Sequence, residues 1–386
     1  MTSCNPGDDM RPFRYMTNTS TSSRNPVIHL VNGFQNPYGG SEQETLHLAR
    51  LLNTRCEVKL WSSSSRSSPE LVEQFGIKPL GLAPRSRPNG GTYVFVGSHW
   101  RNRVWPYLGP VPQRLIYVYN TFHPKILALT SQHPRLLRWP ETEYVFISDF
   151  QQRQVGVDGV VHPSPIDTAL FKPGPLVTRK RPVIGRLSRD TDDKHEDGDL
   201  GLYQEWSAQG ADVRLQGATC LAGKLGNTSN IELLAEGATP AADFMRSLDV
   251  FYYRTGSHVE TFGRVVFEAM ACALPVVCHR RGGYADWIRH GENAFIFDTT
   301  EQARQIVGRL LTDPALRASV GQRARETVES MYSKAALDLR ANFFTGQDSS
   351  AVLLRRNQGE EALMVKREEA MASESRSSNS ESEKVS

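Results

Sequence analysis

Two glutamates with seven residues between them, Glu260 and Glu268, have the types and spacing that most directly suggest chemistry. Residues 249–255 form an apolar run that predicts a buried strand, and residues 261–263 are predicted to open a helix. Glu260 is then expected in the loop before this helix, and Glu268 about two turns inside it. Free N–H groups at a helix start bind phosphate or sugar oxygens, and a carboxylate accepts the paired hydroxyls of a ribose. The pattern therefore predicts a nucleotide site.

A second group of candidates is basic. Arg186 follows a predicted strand, and Lys194 comes eight residues later. Cations aimed at a departing phosphate lower the barrier as negative charge builds; arginine suits a bidentate clamp and lysine a point charge. Arg189 lies in the same polar loop and competes with Lys194. A surface charge cluster is the alternative interpretation of these residues.

Two further features lie in loops after predicted strands. Gly39 and Gly40 allow close backbone approach to a ligand, with a plain turn as the alternative. Asp190 and Asp192 form a D-x-D string, whose oxygens suit magnesium or manganese. Because this string sits among other charged residues in a polar loop, it is interpreted as a solvated turn, and no metal site is predicted.

Composition narrows the class of protein. The chain has 386 residues, 39% hydrophobic content and a formal net charge of +3, so two domains fit and nothing demands nucleic acid as a partner. No apolar run approaches the roughly 20 residues of a membrane-spanning helix, and the N-terminus lacks the apolar region of a signal peptide. Five scattered cysteines without a C-x-x-C pair predict neither zinc nor disulfides, so a cytoplasmic location is expected.

The elements that position these residues alternate between β-rich runs and helical segments, which predicts an α/β fold with parallel sheets. Ser41 with Glu44 predicts a capping box at the start of the first helix. The carboxyl ends of the strands are expected to converge on a cleft. The predicted strands are 27–32, 57–62, 92–97, 114–120 and 143–148 in a first series, and 182–187, 212–217, 230–237, 249–254 and 275–280 in a second.

The predicted organisation has five parts. These are a disordered leader (1–25), an N-terminal Rossmann-like domain (26–168), a C-terminal Rossmann-like domain (169–335), a C-terminal helix (336–346) and a disordered or partner-dependent tail (347–386). The segment 164–182, with its Pro, Gly and basic residues, is interpreted as the linker between the domains. The charged, serine-rich composition of the tail is typical of disorder.

The stretch from Glu260 to about Phe297 resembles the sugar-nucleotide site of the retaining GT-B glycosyltransferases, in particular glycosyltransferase family 4. The segments NGFQNPYGGSEQ (32–43), VVHPSPIDTALFKP (160–173) and VIGRLSRDTDDK (183–194) resemble the family's glycine-rich loop, its entry to the second domain and its phosphate-binding segment. This resemblance implies the GT-B fold, with two Rossmann-like domains facing across a cleft. The N-terminal domain would bind the acceptor and the C-terminal domain the nucleotide sugar.

The resemblance also implies what individual residues do. Glu268 would bind the ribose hydroxyls, Glu260 the hydroxyls of the donor sugar, and the basic pair the diphosphate. The family often places a histidine on the acceptor side, where His123 stands with His99 as its rival. The expected catalytic residues are Glu260, Arg186, Lys194 and His123, and the expected donor-binding residues are Glu268, Thr261, Phe262, Gly263, Arg264, Gly39 and Gly40.

Three departures from the family pattern are visible, the first being residues 252–254, which replace the smaller residues usual before the first acid. Ala273 stands where a glycine is usual, which is expected to change packing only. Asp286 stands where a glutamate is frequent, and its shorter side chain is expected to cap a helix.

The implied reaction moves a sugar, with retention, from a nucleotide-diphosphate donor to an acceptor hydroxyl, without a metal or another cofactor. The expected partners are a nucleotide sugar and an acceptor glycan, lipid-linked sugar or small molecule. A GT-B sugar phosphorylase, a nucleotide-sugar epimerase and a non-catalytic nucleotide-sugar-binding module are the alternatives. A basic and aromatic stretch at residues 100–114 leaves peripheral contact with the inner membrane face open, beside an ordinary solvated surface.

Overall fold

Two parallel β-sheets form the framework of the protein. The structure, a computed structural model, describes residues 27–97, 108–122, 139–175, 179–226 and 229–347. The described residues form a seven-stranded sheet and a six-stranded sheet, and helices pack against both. The predicted α/β class with two Rossmann-like sheets is confirmed.

The first sheet has the spatial order β3-β2-β1-β4-β5-β6-β7, and all of its pairings are parallel. Its central strands are buried along nearly their whole length, as expected for a sheet covered on both faces. Two edge strands of two residues each, β3 and β7, are too short to leave a sequence pattern and were not predicted. The strands are β1 Val27–Asn32, β2 Glu57–Ser62, β3 Lys78–Pro79, β4 Thr92–Val96, β5 Arg114–Tyr119, β6 Thr142–Phe146 and β7 Val160–Val161.

The second sheet repeats this plan with the order β10-β9-β8-β11-β12-β13, again all parallel. In each sheet the chain begins at a central strand, moves outwards, and then crosses to the other side of that strand. The crossing leaves a crevice at the carboxyl ends of β1 and β4 in one sheet, and of β8 and β11 in the other. The strands are β8 Val183–Leu187, β9 Asp212–Gln216, β10 Ile231–Leu234, β11 Val250–Tyr253, β12 Val276–His279 and β13 Phe295–Phe297.

The described helices connect the strands and close the chain. They are α1 Gly40–Asn53, α2 Pro69–Phe75, α3 Asp149–Val155, α4 Asp199–Ala208, α5 Ala222–Leu225, α6 Ala241–Arg246, α7 Arg264–Ala271, α8 Thr300–Thr312, α9 Pro314–Met331 and α10 Lys334–Thr345.

The start of α1 differs from the prediction. Gly39 is the N-cap residue, and no side chain caps the helix there, so the capping box of Ser41 and Glu44 is wrong. The Glu44 carboxylate is taken instead by the Ser164 hydroxyl and by the guanidinium of Arg340. The direction of the Glu44 side chain is set by a residue 120 positions away along the chain, and the local sequence pattern does not predict this contact.

The last helix, α10, returns to the first domain and packs on α1. Arg55 pairs with Asp338 of α10 and donates to Asn342 Oδ1 at 2.6 Å. Arg114 of β5 pairs with Glu143 at 2.7 Å and donates to the carbonyl of Phe343 at 2.8 Å. Arg114 is therefore occupied by internal contacts, whereas residues 100–107 of the same basic and aromatic stretch lie outside the described residues.

Within the described parts of the chain, no helix is both long enough and apolar enough to span a membrane. Four of the five cysteines are described, and each is a free thiol.

Candidate functional site

A cleft of about 1020 Å³ lies between the carboxyl ends of the two sheets. The first domain contributes the loop after β1 and the start of α1, and the second contributes the ends of β8–β11 and the start of α7. The topology explains this placement, because the crevice of each sheet opens at the carboxyl ends of its strands. The predicted site residues that line the cleft are Gly39, Gly40, Lys194, Glu260, Thr261, Phe262, Gly263, Arg264 and Glu268.

The glycine-rich loop of the first domain is organised by Glu42. Its Oε1 accepts hydrogen bonds from the backbone N–H groups of Gln35 at 3.2 Å and Asn36 at 3.4 Å, and its Oε2 accepts from the Ser41 hydroxyl at 2.7 Å. A Cβ on Gly39 would lie 2.2 Å from Oε2 of this carboxylate. Gly39 therefore leaves room for the carboxylate that shapes the loop, while the start of α1 remains open to the cleft.

Glu260 has several charged and polar partners on the second domain. Its Oε1 accepts from Lys194 Nζ at 2.6 Å and from the Tyr253 hydroxyl at 2.7 Å, and its Oε2 lies 3.6 Å from His258 Nε2. Burial alone would raise the pKa of Glu260, but the neighbouring His258 and the charge of Lys194 outweigh it and hold this pKa well below its usual range. Glu260 is therefore ionised at neutral pH.

Lys194 is the cation that the structure places in the cleft beside Glu260. Its side chain is only 8% exposed, and burial lowers its pKa, although the Glu260 carboxylate acts in the opposite direction. A lysine in this position offers a point charge to an anionic group without moving away from its partner.

The loop that carries Glu260 is fixed from both domains. The Gly283 N–H donates to the Glu260 carbonyl at 3.0 Å. The Thr261 hydroxyl donates to the Asn120 carbonyl at 3.2 Å, and the Thr261 carbonyl accepts from the Ser148 hydroxyl. Because Asn120 and Ser148 belong to the first domain, the loop is positioned by the relation between the domains.

Asp286 strengthens the same interdomain contact. Its Oδ2 accepts from the Phe150 N–H at 2.7 Å, and its Oδ1 pairs with Arg153 at 2.7 Å. The N-cap residue of α3 is Ser148, so Asp286 does not occupy a cap position; it accepts from a free N–H in the first turn of a helix of the other domain.

Phe262 and Gly263 present backbone to the cleft. The Phe262 ring is buried and stacks on Phe267 with ring centroids 4.3 Å apart. Gly263 is the N-cap residue of α7 and has φ of 82°, a left-handed conformation that favours glycine. A Cβ on Gly263 would lie 2.4 Å from the Tyr284 ring.

We expect Gly263→Ala to be costly for both stability and ligand binding. The left-handed backbone alone costs a residue with a Cβ about 1–2 kcal/mol, and the clash with Tyr284 adds to this and displaces the start of α7. Thermal unfolding and nucleotide affinity measure the two effects. Gly291→Ala is the matched control, because its φ is 79° and its Cβ would meet nothing within 4 Å. Equal destabilisation in the two variants would contradict the contribution of the Tyr284 contact.

Glu268 lies in the second turn of α7 and is 7% exposed. Burial raises its pKa, and the charge of Arg264, whose Nη2 lies 3.3 Å from Glu268 Oε1, opposes this effect. Arg264 also donates to the Pro165 carbonyl at 2.6 Å. The carboxylate is thus held from one side at the wall of the cleft.

Arg186 lies in β8, behind the wall of the cleft. It is 1% exposed, its guanidinium donates to the backbone carbonyls of Arg254 and Lys194, and it does not line the cleft. It also lies over the Tyr253 ring, 5.2 Å from the centroid. That Arg186 faces a diphosphate stays a prediction; in this structure its guanidinium fixes the backbone of Lys194 from behind.

The structure describes the D-x-D string but not the two candidate histidines. Asp190 accepts from the N–H groups of Thr219 at 3.2 Å and Cys220 at 3.0 Å, so it stabilises a turn. Across the part of the chain that the structure describes, no group of three or more His, Cys, Asp or Glu is arranged to hold a metal ion. His123 and its rival His99 lie outside the described residues.

Sequence reasoning missed His258, Tyr253 and Ser148. His258 stands two positions before Glu260, so its place on the same loop was visible, but its direction towards the carboxylate was not. Tyr253 was assigned to a buried strand, and Ser148 to the end of another. Their contacts with residues 260 and 261 depend on how distant segments meet.

Comparison with known proteins agrees with this geometry. Residues 210–327, which include both cleft glutamates, match the family model for glycosyl transferases group 1. The chain is 40% identical over 79 residues to the N-acetyl-alpha-D-glucosaminyl L-malate synthase of Bacillus anthracis, covering 20% of each protein. It is 46% identical over 66 residues to the D-inositol 3-phosphate glycosyltransferase of Acidothermus cellulolyticus, covering 17% of this chain and 14% of that one. The matched segments thus span a fifth or less of these relatives.

Solved structures extend the likeness to the whole fold. Alr3699/HepE of Anabaena in complex with UDP-glucose superposes with a TM-score of 0.66 at 16% identity, covering 84% of this chain and 100% of that one. WaaG, a glycosyltransferase involved in lipopolysaccharide biosynthesis, gives a TM-score of 0.60 at 16% identity, covering 83% and 100%. At this level of identity the likeness establishes a shared GT-B fold.

Proposed function

We propose that this chain, a GT-B protein whose second domain carries the glycosyl transferases group 1 segment, transfers a sugar from a nucleotide diphosphate to an acceptor hydroxyl. The observation that carries the proposal is the cleft wall formed by Glu260, Lys194 and Glu268, which faces the glycine-rich loop of the other domain. The transfer proceeds with retention at the anomeric carbon and without a metal ion. The bacterial relatives named above are a synthase of a glucosaminyl malate and a glycosyltransferase of an inositol phosphate, which supports sugar transfer as the chemistry.

The donor is placed along the second domain. Glu268 accepts the ribose hydroxyls, as a carboxylate on a helix wall is suited to do. The diphosphate lies near Lys194 and the open N–H groups at the start of α7, where positive charge and the helix dipole favour an anion. Glu260 and the backbone of residues 261–263 hold the hydroxyls of the donor sugar.

In the reaction, the bond from the anomeric carbon to the diphosphate oxygen breaks, and a bond to the acceptor oxygen forms on the same face of the sugar. The acceptor proton passes to the leaving phosphate oxygen. Lys194 stabilises the negative charge that builds on that phosphate. Arg186 is a positioning residue in this scheme, because its contact with the Lys194 carbonyl fixes the loop that presents the ammonium group.

The acceptor enters from the first domain. The loop after β1 and the exposed ring of Tyr38, which is 76% exposed, form that side of the cleft. The contacts from Thr261 to Asn120 and Ser148 hold the donor loop against this domain, so acceptor and donor share one cleft.

A panel of UDP-, GDP- and ADP-sugars, scored by released nucleotide, tests the proposal. We expect turnover with one donor class in the presence of a sugar or polyol acceptor, unchanged activity with a chelator, and a product whose anomeric configuration by NMR is that of the donor. Inverted product or strong chelator inhibition would contradict the retaining, metal-independent reaction. Sugar phosphate formed from inorganic phosphate would indicate a phosphorylase, and donor conversion without acceptor an epimerase. Binding of nucleotide without turnover on any acceptor would indicate a binding module.

A further inference from the structure

The linker between the two domains is held by side chains rather than by a strand ladder. Residues 163–165 read Pro-Ser-Pro, so two of the three positions have no N–H to donate. Their carbonyls still need donors where they are buried. Arg340, Tyr332 and Arg264 donate in turn to the first, second and third carbonyl, at 2.8, 2.5 and 2.6 Å. The path of the linker is thus set by groups from three different elements of the chain.

Arg264 differs from the other two donors because it also reaches the cleft. One of its terminal nitrogens, Nη1, bonds to the Pro165 carbonyl, while the other, Nη2, lies 3.3 Å from Glu268 Oε1. A Cβ on Gly40, at the start of α1, would lie 3.9 Å from its Cδ. The Arg264 side chain therefore crosses from the donor wall, past the first domain, to the linker.

We propose that Arg264 is a positioning residue that couples donor binding at Glu268 to the placement of the interdomain linker. The inference rests on the proposed function, because it takes Glu268 as the acceptor of the ribose hydroxyls. The Arg264 guanidinium both orients the Glu268 carboxylate and anchors the linker at Pro165. A ligand that fixes the carboxylate therefore also fixes the contact between Arg264 and the linker. By reciprocity, a linker held in place favours the ligand.

The charge of Arg264 has a second consequence at Glu268. Burial raises the pKa of this carboxyl group and Arg264 lowers it, so the arginine favours the ionised form that accepts both hydroxyls. Removing Arg264 raises the pKa further, and donor affinity then falls more steeply as the pH is lowered. The other titratable and charged groups on the packed elements are Glu44, His47 and Arg50 of α1, Asp167 of the linker, Arg246 of α6, Cys272 after α7, Arg325 of α9, Tyr332 and Arg340.

Three variants separate coupling from simple support of the fold. Arg264→Met removes both contacts, and Arg264→Lys restores the charge. Arg325→Met is the matched control, because Arg325 donates to the carbonyls of Phe171 at 2.7 Å and Ala271 at 2.6 Å. It thereby fastens a later part of the linker to the end of α7, and it forms no hydrogen bond or ion pair with Glu268.

The first measurement is nucleoside-diphosphate affinity at pH 6 and pH 8, by calorimetry with whichever of UDP, GDP and ADP the wild type binds. The second is hydrogen exchange of residues 160–172 with and without that nucleotide. We expect Arg264→Met to weaken binding about tenfold at pH 8 and further at pH 6, a loss of about 1.4 kcal/mol per tenfold. We also expect it to lose the protection of the linker that nucleotide confers on the wild type. Arg264→Lys should restore the wild-type pH dependence of nucleotide affinity. Arg325→Met should lower the melting temperature while keeping the wild-type pH dependence of that affinity.

The coupling is overturned if Arg264→Met matches the wild type in pH dependence and in ligand-induced protection, or if it matches Arg325→Met in both. If the wild type binds none of the three nucleotides, the proposed function fails, and this inference fails with it. The two failures are distinguishable, because only in the second does the wild-type protein fail to bind nucleotide.

Discussion

Replacing Lys194 by methionine is expected to lower kcat by about 10²–10³-fold, the range found when one preorganised donor to developing negative charge is removed. Lys194 Nζ is fixed 2.6 Å from Glu260 and lies at the cleft wall, so its charge is in place before the phosphate departs. Donor affinity should fall less than kcat, since the charge on the phosphate grows in the transition state. Initial rates at saturating donor measure the effect.

The same substitution leaves Glu260 without its lysine, which raises the pKa of that carboxyl and costs about 3–5 kcal/mol where a charge stays buried and unpaired. The double variant Lys194→Met/Glu260→Gln removes the unpaired charge as well. We expect its melting temperature to recover while turnover stays low. Recovery of turnover together with stability would contradict a catalytic lysine. Lys224→Met is the matched control, because Lys224 pairs with Asp197 of the same region at 2.9 Å but is 44% exposed.

Replacing Glu268 by glutamine is expected to weaken donor binding by about 10²-fold, because hydrogen bonds to a charged acceptor contribute about 1.5–3 kcal/mol each. The change keeps the shape of the side chain, so the fold is retained. Titration calorimetry with the matching nucleoside diphosphate measures the loss. Glu292→Gln, at a side chain 61% exposed and paired with Arg289, should bind like the wild type.

A nucleotide lacking its 2′-hydroxyl sharpens this experiment. The wild type should bind the deoxy nucleotide about tenfold more weakly than the ribonucleotide, which corresponds to about 1.4 kcal/mol. The Glu268→Gln variant should bind the two nearly alike, since the partner of that hydroxyl has already been weakened. An equal penalty for the deoxy nucleotide in both proteins would place the ribose elsewhere in the cleft.

Much of the fold follows from local patterns. Apolar runs such as residues 27–32 and 114–120 predicted strands, and β1 and β5 occupy them. Where the pattern was two residues long, as at β3 and β7, no prediction was made, because periodicity needs more positions than that. The capping box at Ser41 failed because Ser164 and Arg340, both remote in sequence, bind the glutamate that it required.

The sequence by itself determined that Glu260 and Glu268 lie on a loop and on the helix after it, at the carboxyl edge of a parallel sheet, since these depend on the neighbours of each residue. Only the tertiary structure decided that Lys194 meets Glu260 across 66 positions, that Arg264 reaches Pro165 across 99, and that Arg186 turns away from the cleft to the backbone behind it. The physical reason is that spacing along the chain fixes where a backbone position lies. The direction and protonation of a buried side chain are set instead by burial and by charges from distant segments.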